Sequence, residues 1–512
     1  MSIERRPALR VLGLAALGCC LVGSVCAQTG RDIRPPAVAG QFYPSDPKHL
    51  RQAVRYYLQD AVTARVEDPV ALVVPHAGYI YAGQIMADGY RQVQELKPEV
   101  VVILGTNHTE ADFRGISVYP RGAYRTPLGD AAIDEGLAAA LLAADRNCNT
   151  DRRVHEREHS VEVQLPFVQV VFPAARILPV VFGEPDAARC AAFGKTLAGL
   201  LKGRRALIVA SSDLSHYPSY QDAKRVDRET LAALETLDAA VFSAKIRSLM
   251  GLNIANLYTC ACGEAPVLAA MAAARALGAG RGVVVSYANS GDVLAGDRSR
   301  CVGYAAVVMA AGGAAGRDVF NDAAAGSADA PLTEADKKTL LVLARRTIER
   351  YLTSETVPLV RGLSPRLSAP QGAFVTLKKH GELRGCIGHM AADTPLGRTV
   401  SAMALEAAFN DTRFGPLRLS ELGDIEIEIS VLTPAQPIAK PSAIRLGHDG
   451  VILQKGDRSA VFLPQVATEQ RWDHSQLLDN LCLKAGLPVG CWKQGARLLV
   501  FQASVFSEPE FK

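Results

Sequence analysis

No basic run interleaved with aromatic residues occurs in this chain, and its formal net charge is only +4 over 512 residues. A nucleic-acid interface needs a concentrated cationic surface with rings to stack on bases, so that class of partner has no support. Long apolar runs are scarce as well. The stretch from Val11 to Val22 is too short to span a bilayer comfortably, and no other segment reads as a membrane span. Cysteine is sparse and irregularly spaced, with eleven in the full chain, which excludes a scaffold built on disulfides. No repeat links the two halves. What is present is an apolar fraction of 49%, ample for packed cores. The length exceeds one ordinary domain and predicts two or three.

The first 27 residues read as a secretory leader of bacterial type. Arg5, Arg6 and Arg10 form a positive start, an apolar stretch follows, and Val25-Cys26-Ala27 is an acceptable cleavage site that leaves Gln28 as the new terminus. Cys19, Cys20 and Cys26 lack the leucine-to-small-residue approach of a lipoprotein signal, and an uncleaved anchor is the weaker reading. The expected location is therefore secreted or periplasmic. Cleavage leaves Cys148, Cys190, Cys260, Cys262, Cys301, Cys386, Cys482 and Cys491. An even count in an oxidising compartment permits disulfides, and a thiolate ligand there would escape oxidation most simply by holding its metal.

Residues 33–311 alternate short apolar runs (ALVVPH, VVVILGTNH, ARILPVVFG, RALIVASSD, GVVVSYAN) with helical stretches such as AIDEGLAAALLAA and CAAFGKTLAGLL. This pattern predicts an α/β domain with a mostly parallel sheet. Residues 312–331, small and rich in Gly and Ala, read as a linker. Residues 332–512 read as a smaller α+β domain. There Thr333, with Glu334 and Asp336 behind it, caps an amphipathic helix. DIEIEISVLT alternates at period two as a half-buried strand, and GVILQKGDRSAVFLP forms a hairpin turning at Lys455-Gly456-Asp457.

PHAGYIYAG (75–83) and LGTNH (104–108) each place a histidine, His76 and His108, where an apolar strand ends. Loops converge at that edge of a parallel sheet, and imidazole is the commonest ligand for borderline metals. SSDLSH (211–216) brings Asp213 and His216 to the same edge, although Ser211 and Ser212 could equally be helix N-caps. CACGEAP (260–266) adds Cys260, Cys262 and Glu264. Two histidines with one Cys or Glu would leave open positions on a metal, as substrate binding requires. His216 with Asp213 could then move protons or serve as a fourth ligand. Residues 155–159, HEREH, satisfy the H-E-x-x-H pattern of zinc peptidases, with Glu156 as base. The segment is charged all round and follows a polar stretch, whereas a zincin helix lies in the interior. The better reading is that Glu158, His159 and Glu162 open a helix near the strand-end pocket and hydrogen-bond ligating imidazoles.

PHAGYIYAG, LGTNH, EHSVEVQLPF, SSDLSHY and the CG of CACGEAP, in this order, resemble the Memo family, itself similar in fold to the class III extradiol dioxygenases. The resemblance covers roughly residues 33–311. It implies His76, His108 and Cys262 as metal ligands with His216 beside them, and dioxygen or related oxidation chemistry at Fe(II), with Cu or Zn as alternatives. The dioxygenase relatives use a carboxylate at the third position, so Glu264 stays open as an alternative to Cys262. Gln164 stands where some relatives carry histidine. LRGCIG (383–388), FNDTRFGPL (409–417) and EIEISVL resemble the AMMECR domain over about residues 333–510. In that motif Arg384 is a fixed cation and Cys386 a candidate nucleophile. Gly385 and Gly388 would let a ligand approach the backbone, and His389, Asp411 and Arg413 are expected neighbours. The bland alternative is a tight turn with a buried Cys. Together the two halves look like components B and A of the AmmeMemoRadiSam system fused in one chain. The resemblance implies a radical-SAM partner protein, since no C-x-x-x-C-x-x-C triad occurs here, and an unidentified small molecule or peptide as ligand. A non-catalytic metal- or peptide-binding module is the alternative to an enzyme, and the peptidase the weakest of the three.

Overall fold

The computed structural model describes residues 32–293, 296–312, 319–320, 326–328 and 330–511. The expected leader lies outside these residues, as does most of the expected linker. The runs Pro69–Val74, Val100–Thr106, Arg176–Phe182 and Ala206–Ser211 are almost uninterrupted apolar sequence, which suits strands buried on both faces. They form the parallel heart of an eight-stranded sheet in the spatial order 69–74, 206–211, 100–106, 176–182. Arg281–Asn289 and Gly303–Ala310 join antiparallel beside the 69–74 strand. On the far side Ile116–Val118 runs antiparallel to the 176–182 strand. The sheet is thus parallel at its centre and antiparallel at its flanks. Helix Tyr79–Val93 packs on strands 69–74 and 303–310, and helix Glu264–Ala276 packs on strands 206–211 and 100–106. Among the described residues, no helix is long and apolar enough to cross a membrane.

The second domain begins with helix Glu334–Ser354. Thr333 and Asp336 form the reciprocal cap expected from sequence. Leu340, Leu341, Ala344 and Ile348 recur at helical spacing and are buried. They share a core with Ile425, Ile427, Ile429 and Val431, the inward half of the alternating strand Ile425–Leu432. That strand lies in a four-stranded antiparallel sheet ordered 382–389, 373–379, 425–432, 503–507. Residues 433–502 form an inserted lobe around a second four-stranded sheet. Its hairpin pairs Lys455 with Arg458 across Gly456-Asp457. The Cys482–Cys491 disulfide closes a loop inside the lobe. Entry and exit of the lobe meet where Thr433 N–H donates to Gln502 O at 2.9 Å.

The domains dock through arginines of the second and aspartates of the first. Arg346 and Arg350 reach Asp60 at 2.7 and 2.6 Å, and Arg398 reaches Asp292 at 2.8 Å. Arg361 grips the fully buried Asp88 with two bonds of 2.6 and 2.9 Å. A buried carboxylate deprived of its cation is left uncompensated. The loss is ~3–5 kcal/mol for a fully buried pair, and about 1–3 kcal/mol is expected here, because the Arg361 side chain is 32% exposed. Arg361→Met should therefore lower the melting temperature and speed tryptic cleavage between residues 312 and 331. If neither changes, this pair does not hold the domains together.

Candidate metal centre

His76, His108 and Asp213 each follow one of three neighbouring parallel strands, and the middle strand ends at Ser211. This register lets one hydroxyl set a histidine tautomer. Ser211 Oγ donates its only proton to Ser160 O at 2.6 Å, so it can only accept from Gln164 Nε2 at 2.9 Å and from His76 Nδ1 at 3.1 Å. His76 must carry its proton on Nδ1, and its Nε2 keeps the lone pair. That Nε2 lies 3.1 Å from Cys262 Sγ. Glu158 does the same for His108: one carboxylate oxygen lies 3.0 Å from His108 Nδ1 while the other accepts the His108 backbone N–H at 2.6 Å. Ligating histidines are commonly fixed in this way through the nitrogen that does not bind the metal.

Cys262 sits in the turn before helix Glu264–Ala276. Its backbone N–H bonds Asp213 O at 3.3 Å, and Gly263 N–H bonds Ser212 Oγ at 3.0 Å, which ties this turn to the 211–216 segment. Asp213 Oδ1 accepts the His76 backbone N–H at 2.8 Å. Its Oδ2 lies 3.9 Å from His216 Nε2 and 4.0 Å from His76 Nε2. His216 Nε2 is buried without a hydrogen-bond partner. His216 is held by its own N–H to Thr259 O at 3.0 Å, and Tyr217, in the left-handed region at φ 73°, by its N–H to Cys301 O at 2.6 Å.

Burial pushes His76 well down and the Cys262 thiol well up, Asp213 adding to the latter. Burial likewise lowers His216 and His159 and raises Asp213. His108 moves the other way: burial opposes it, but the hydrogen bond and charge of Glu158 raise it. Glu158 is itself held at about 2 against burial, first by its bond to His108. His76, His159, His216 and the Cys262 thiol resist charge, His108 alone being favoured in its charged form, and a cluster whose lone pairs converge in this way fits a cation better than several protons. Donor atoms of His76, His108 and Cys262 lie within 4.8 Å of one another, as do those of Asp213, His216 and Cys262. Imidazole and thiolate suit Fe, Cu or Zn and not Mg or Ca.

The ring of His159 joins the cluster, stacked on His108 at 4.7 Å and edge-on to His76 at 5.4 Å. Phe42 packs on it at 4.8 Å. Glu162, expected beside the imidazoles, serves the N-terminal segment: it pairs with Arg34 and Tyr43 and accepts the Ala37 and Val38 N–H groups. Glu264 bonds Ser243 at 2.8 Å and is absent from the donor clusters, so Cys262 holds the position that a carboxylate could have taken. Ser211 and Ser212 cap no helix, since the next one begins at Tyr220 with Ser219 as its cap. Gln164, without an assigned role in the sequence, turns out to hold Ser211 and Pro75 O. The role of Ser211 was not legible, because a serine after a strand reads equally as a cap.

HEREH forms no zinc helix. The turn Arg153–Glu156 ends before His159. His155 spends both ring nitrogens inside the protein, on Tyr124 OH at 2.6 Å and Ser117 Oγ at 3.1 Å. The peptidase reading therefore fails on geometry.

In the second domain Cys386 lies in strand Glu382–His389, half-buried, so it belongs to neither a turn nor a core. Asp411 accepts its backbone N–H at 2.9 Å and Arg413 donates to its carbonyl at 3.1 Å, whereas His389 pairs with Asp393 at 2.7 Å. The two glycines leave no room for a ligand. A Cβ at Gly385 would meet Ala407 O at 2.1 Å, and one at Gly388 the Phe374 ring at 2.2 Å. Arg384 is engaged by Glu421 through two bonds of 3.1 Å.

The family model described as Memo-like protein matches residues 34–308, and the one described as AMMECR1 matches residues 341–506. A MEMO1 family protein of Methanopyrus kandleri is 37% identical over 54% of this chain and 99% of its own length. One of Aquifex aeolicus is 38% identical, again over 54% and 99%. A solved structure of an uncharacterized protein from Pyrococcus horikoshii shares 37% identity over 33% of this chain and 90% of that one, with a TM-score of 0.32.

Proposed function

The chain belongs to the Memo family, with an AMMECR1 domain behind the Memo domain, and from that premise we propose that it is a metal-dependent oxidoreductase of the non-haem iron type. The observation that carries this reading is the pair of fixed tautomers, which aim His76 Nε2 and His108 Nε2 at the space beside Cys262 Sγ. A bound Fe(II) would supply Lewis acidity and electron exchange there. His76, His108 and Cys262 would hold it and leave positions for substrate. Burial keeps His216 neutral near pH 7, so its unpartnered Nε2 is free to take a substrate proton, with Asp213 Oδ2 placed to share the resulting charge. The exposed rings of Tyr217 and Tyr258 beside His216 offer an apolar rim suited to an aromatic substrate.

Protein purified and reconstituted without oxygen should take up about one Fe(II) per chain and consume dioxygen when a catechol-like substrate is added. His216→Ala should keep the iron and lose the turnover. Tight, stoichiometric metal with no oxygen uptake would favour a metal-binding module instead. Export to an oxidising compartment is part of the proposal. It is supported by the leader-like first 27 residues and by the Cys482–Cys491 disulfide.

A further inference from the structure

His216 and Tyr217 border the imidazole centre without lying on a strand of the main sheet. They sit in a short ribbon in which residues 214–220 run antiparallel to residues 298–303, with His216 paired to Val302. Leu214 N–H donates to Gly303 O and Cys301 N–H to Pro218 O, both at 2.8 Å, and Tyr220 N–H donates to Arg298 O at 2.9 Å. Two stacked pairs line the ribbon. The Arg300 guanidinium lies 4.6 Å from the centre of the Tyr217 ring, and that of Arg298 lies 4.5 Å from the centre of the Tyr220 ring. A two-stranded ribbon is only marginally stable by itself, so its outer end needs a fastening.

Asp292 supplies it. This residue closes the turn that follows strand Arg281–Asn289. Its Oδ2 accepts the Asn289 N–H at 2.9 Å, and its Oδ1 accepts the Tyr220 hydroxyl at 2.8 Å. The turn is packed without slack: a Cβ on Gly291 would meet the Tyr220 ring at 2.8 Å and Cys301 Sγ at 3.0 Å. The same Oδ1 also accepts from Nη2 of Arg398 at 2.8 Å, and Arg398 belongs to helix Leu396–Leu405 of the second domain. The two side chains are only 15% and 10% exposed, so this charged hydrogen bond is poorly screened by water. Arg398 Nη1 is buried and makes no hydrogen bond among the described residues, which commits the guanidinium to Asp292. One residue further, Val293 shares a small cavity between the domains with Leu359 of the second domain and with Ile80 and Tyr81. Those last two open the helix that follows His76. The second domain therefore touches two of the elements that carry the centre.

We propose that in this chain the second domain positions the imidazole centre of the first, with Arg398 as the positioning residue. Arg398 holds Asp292, Asp292 holds Tyr220 and the outer end of the ribbon, and the ribbon fixes His216 and Tyr217. Undocking at Arg398 frees the ribbon and opens the space around His216, while the ligand set of His76, His108 and Cys262 stays where the sheet puts it. The second domain thereby governs access to the pocket without entering it. The inference needs His216 to stand at the centre and is independent of the oxidoreductase reading, of the metal and of any substrate.

The test reads His216 itself, in the metal-free full chain. Diethyl pyrocarbonate acylates an accessible neutral imidazole, and peptide mass spectrometry gives the rate at His216 relative to the exposed His380 of the second domain. His216 Nε2 is buried, so the parent should react slowly. Arg398→Met keeps the stem and removes the charge, and it should raise the relative rate about fivefold or more by letting the ribbon open locally. Tyr220→Phe, which removes one hydroxyl inside the first domain, should raise it as well. Arg398→Lys retains a donor for Asp292 and should stay within about twofold of the parent. His155, with both ring nitrogens engaged, should remain slow in every variant. An unchanged rate in Arg398→Met or in Tyr220→Phe, a rise that Arg398→Lys shows equally, or a rise that His155 shares would each overturn the proposal.

Discussion

His76→Ala should strip the first domain of its bound metal, and Cys262→Ala should do the same while leaving the fold intact. Both side chains lie at the carboxyl edge of the sheet, with their donor atoms 3.1 Å apart. Neither supports the core beneath. Losing one of three protein ligands leaves two, too few for the sites that imidazole and thiolate usually build. Elemental analysis of protein expressed from Gln28 and purified without oxygen should give about one metal per chain for the parent and less than a tenth of that for either variant. Circular dichroism and thermal melts should stay near those of the metal-free parent. Full metal content in both variants would mean that the ion sits elsewhere.

Glu158→Gln should weaken metal binding about 10–100-fold, the usual range for loss of a partner that orients a ligand. The carboxylate accepts hydrogen bonds only: from the His108 backbone, from Ser160 N at 2.7 Å and, through the histidine's own proton, from His108 Nδ1. An amide must turn its NH2 group toward one of these donors whichever way it is placed, so the site loses a bond and gains a repulsion. The pH dependence should change too. Glu158 raises the pKa of His108, so in the parent a proton competes with the metal from a higher pH than at a free imidazole. Without the charge of Glu158 that competition should begin at lower pH. Competition titration with a chromogenic chelator from pH 5.5 to 8.5 reads both effects. Equal affinity across the range would show that Glu158 does not position His108.

The strand ends were legible because two signals coincided. An unbroken apolar run fixes a buried parallel strand, and a polar residue directly after it must emerge at the edge where loops meet. That locates His76, His108 and Asp213 with no knowledge of side-chain contacts. Cys262 was harder to place, because Glu264 lies two residues away and only the turn before the helix decides which of them faces the centre. Glu162 misled because a buried acid near histidines looks like their partner, whereas its bonds run to Arg34 and Tyr43, more than a hundred positions earlier in the chain. Such pairings are set by tertiary packing and leave no local trace. HEREH matches a pattern whose chemistry requires a continuous helix, and the charge all round this segment was the sequence signal against it, in keeping with a turn that ends at Glu156. In LRGCIG the glycines announced close approach, and the approach is real. What comes close is Ala407 O and the Phe374 ring.

The inserted lobe also dictates the order in which the second domain can be completed as the chain emerges. Strand Ile425–Leu432 needs Ala503–Ser507 as its neighbour, and all of residues 433–502 must be made in between. At about 5–20 residues per second, its unpaired edge waits several seconds for that partner. The lobe, being continuous, has time to fold first and bring its two ends together at Thr433 and Gln502. The final strand then arrives already aligned, and Glu508 closes behind it on Arg345 and on the backbone of Ile427. The sheet should therefore stay open to chaperones until the residues beyond the lobe have emerged.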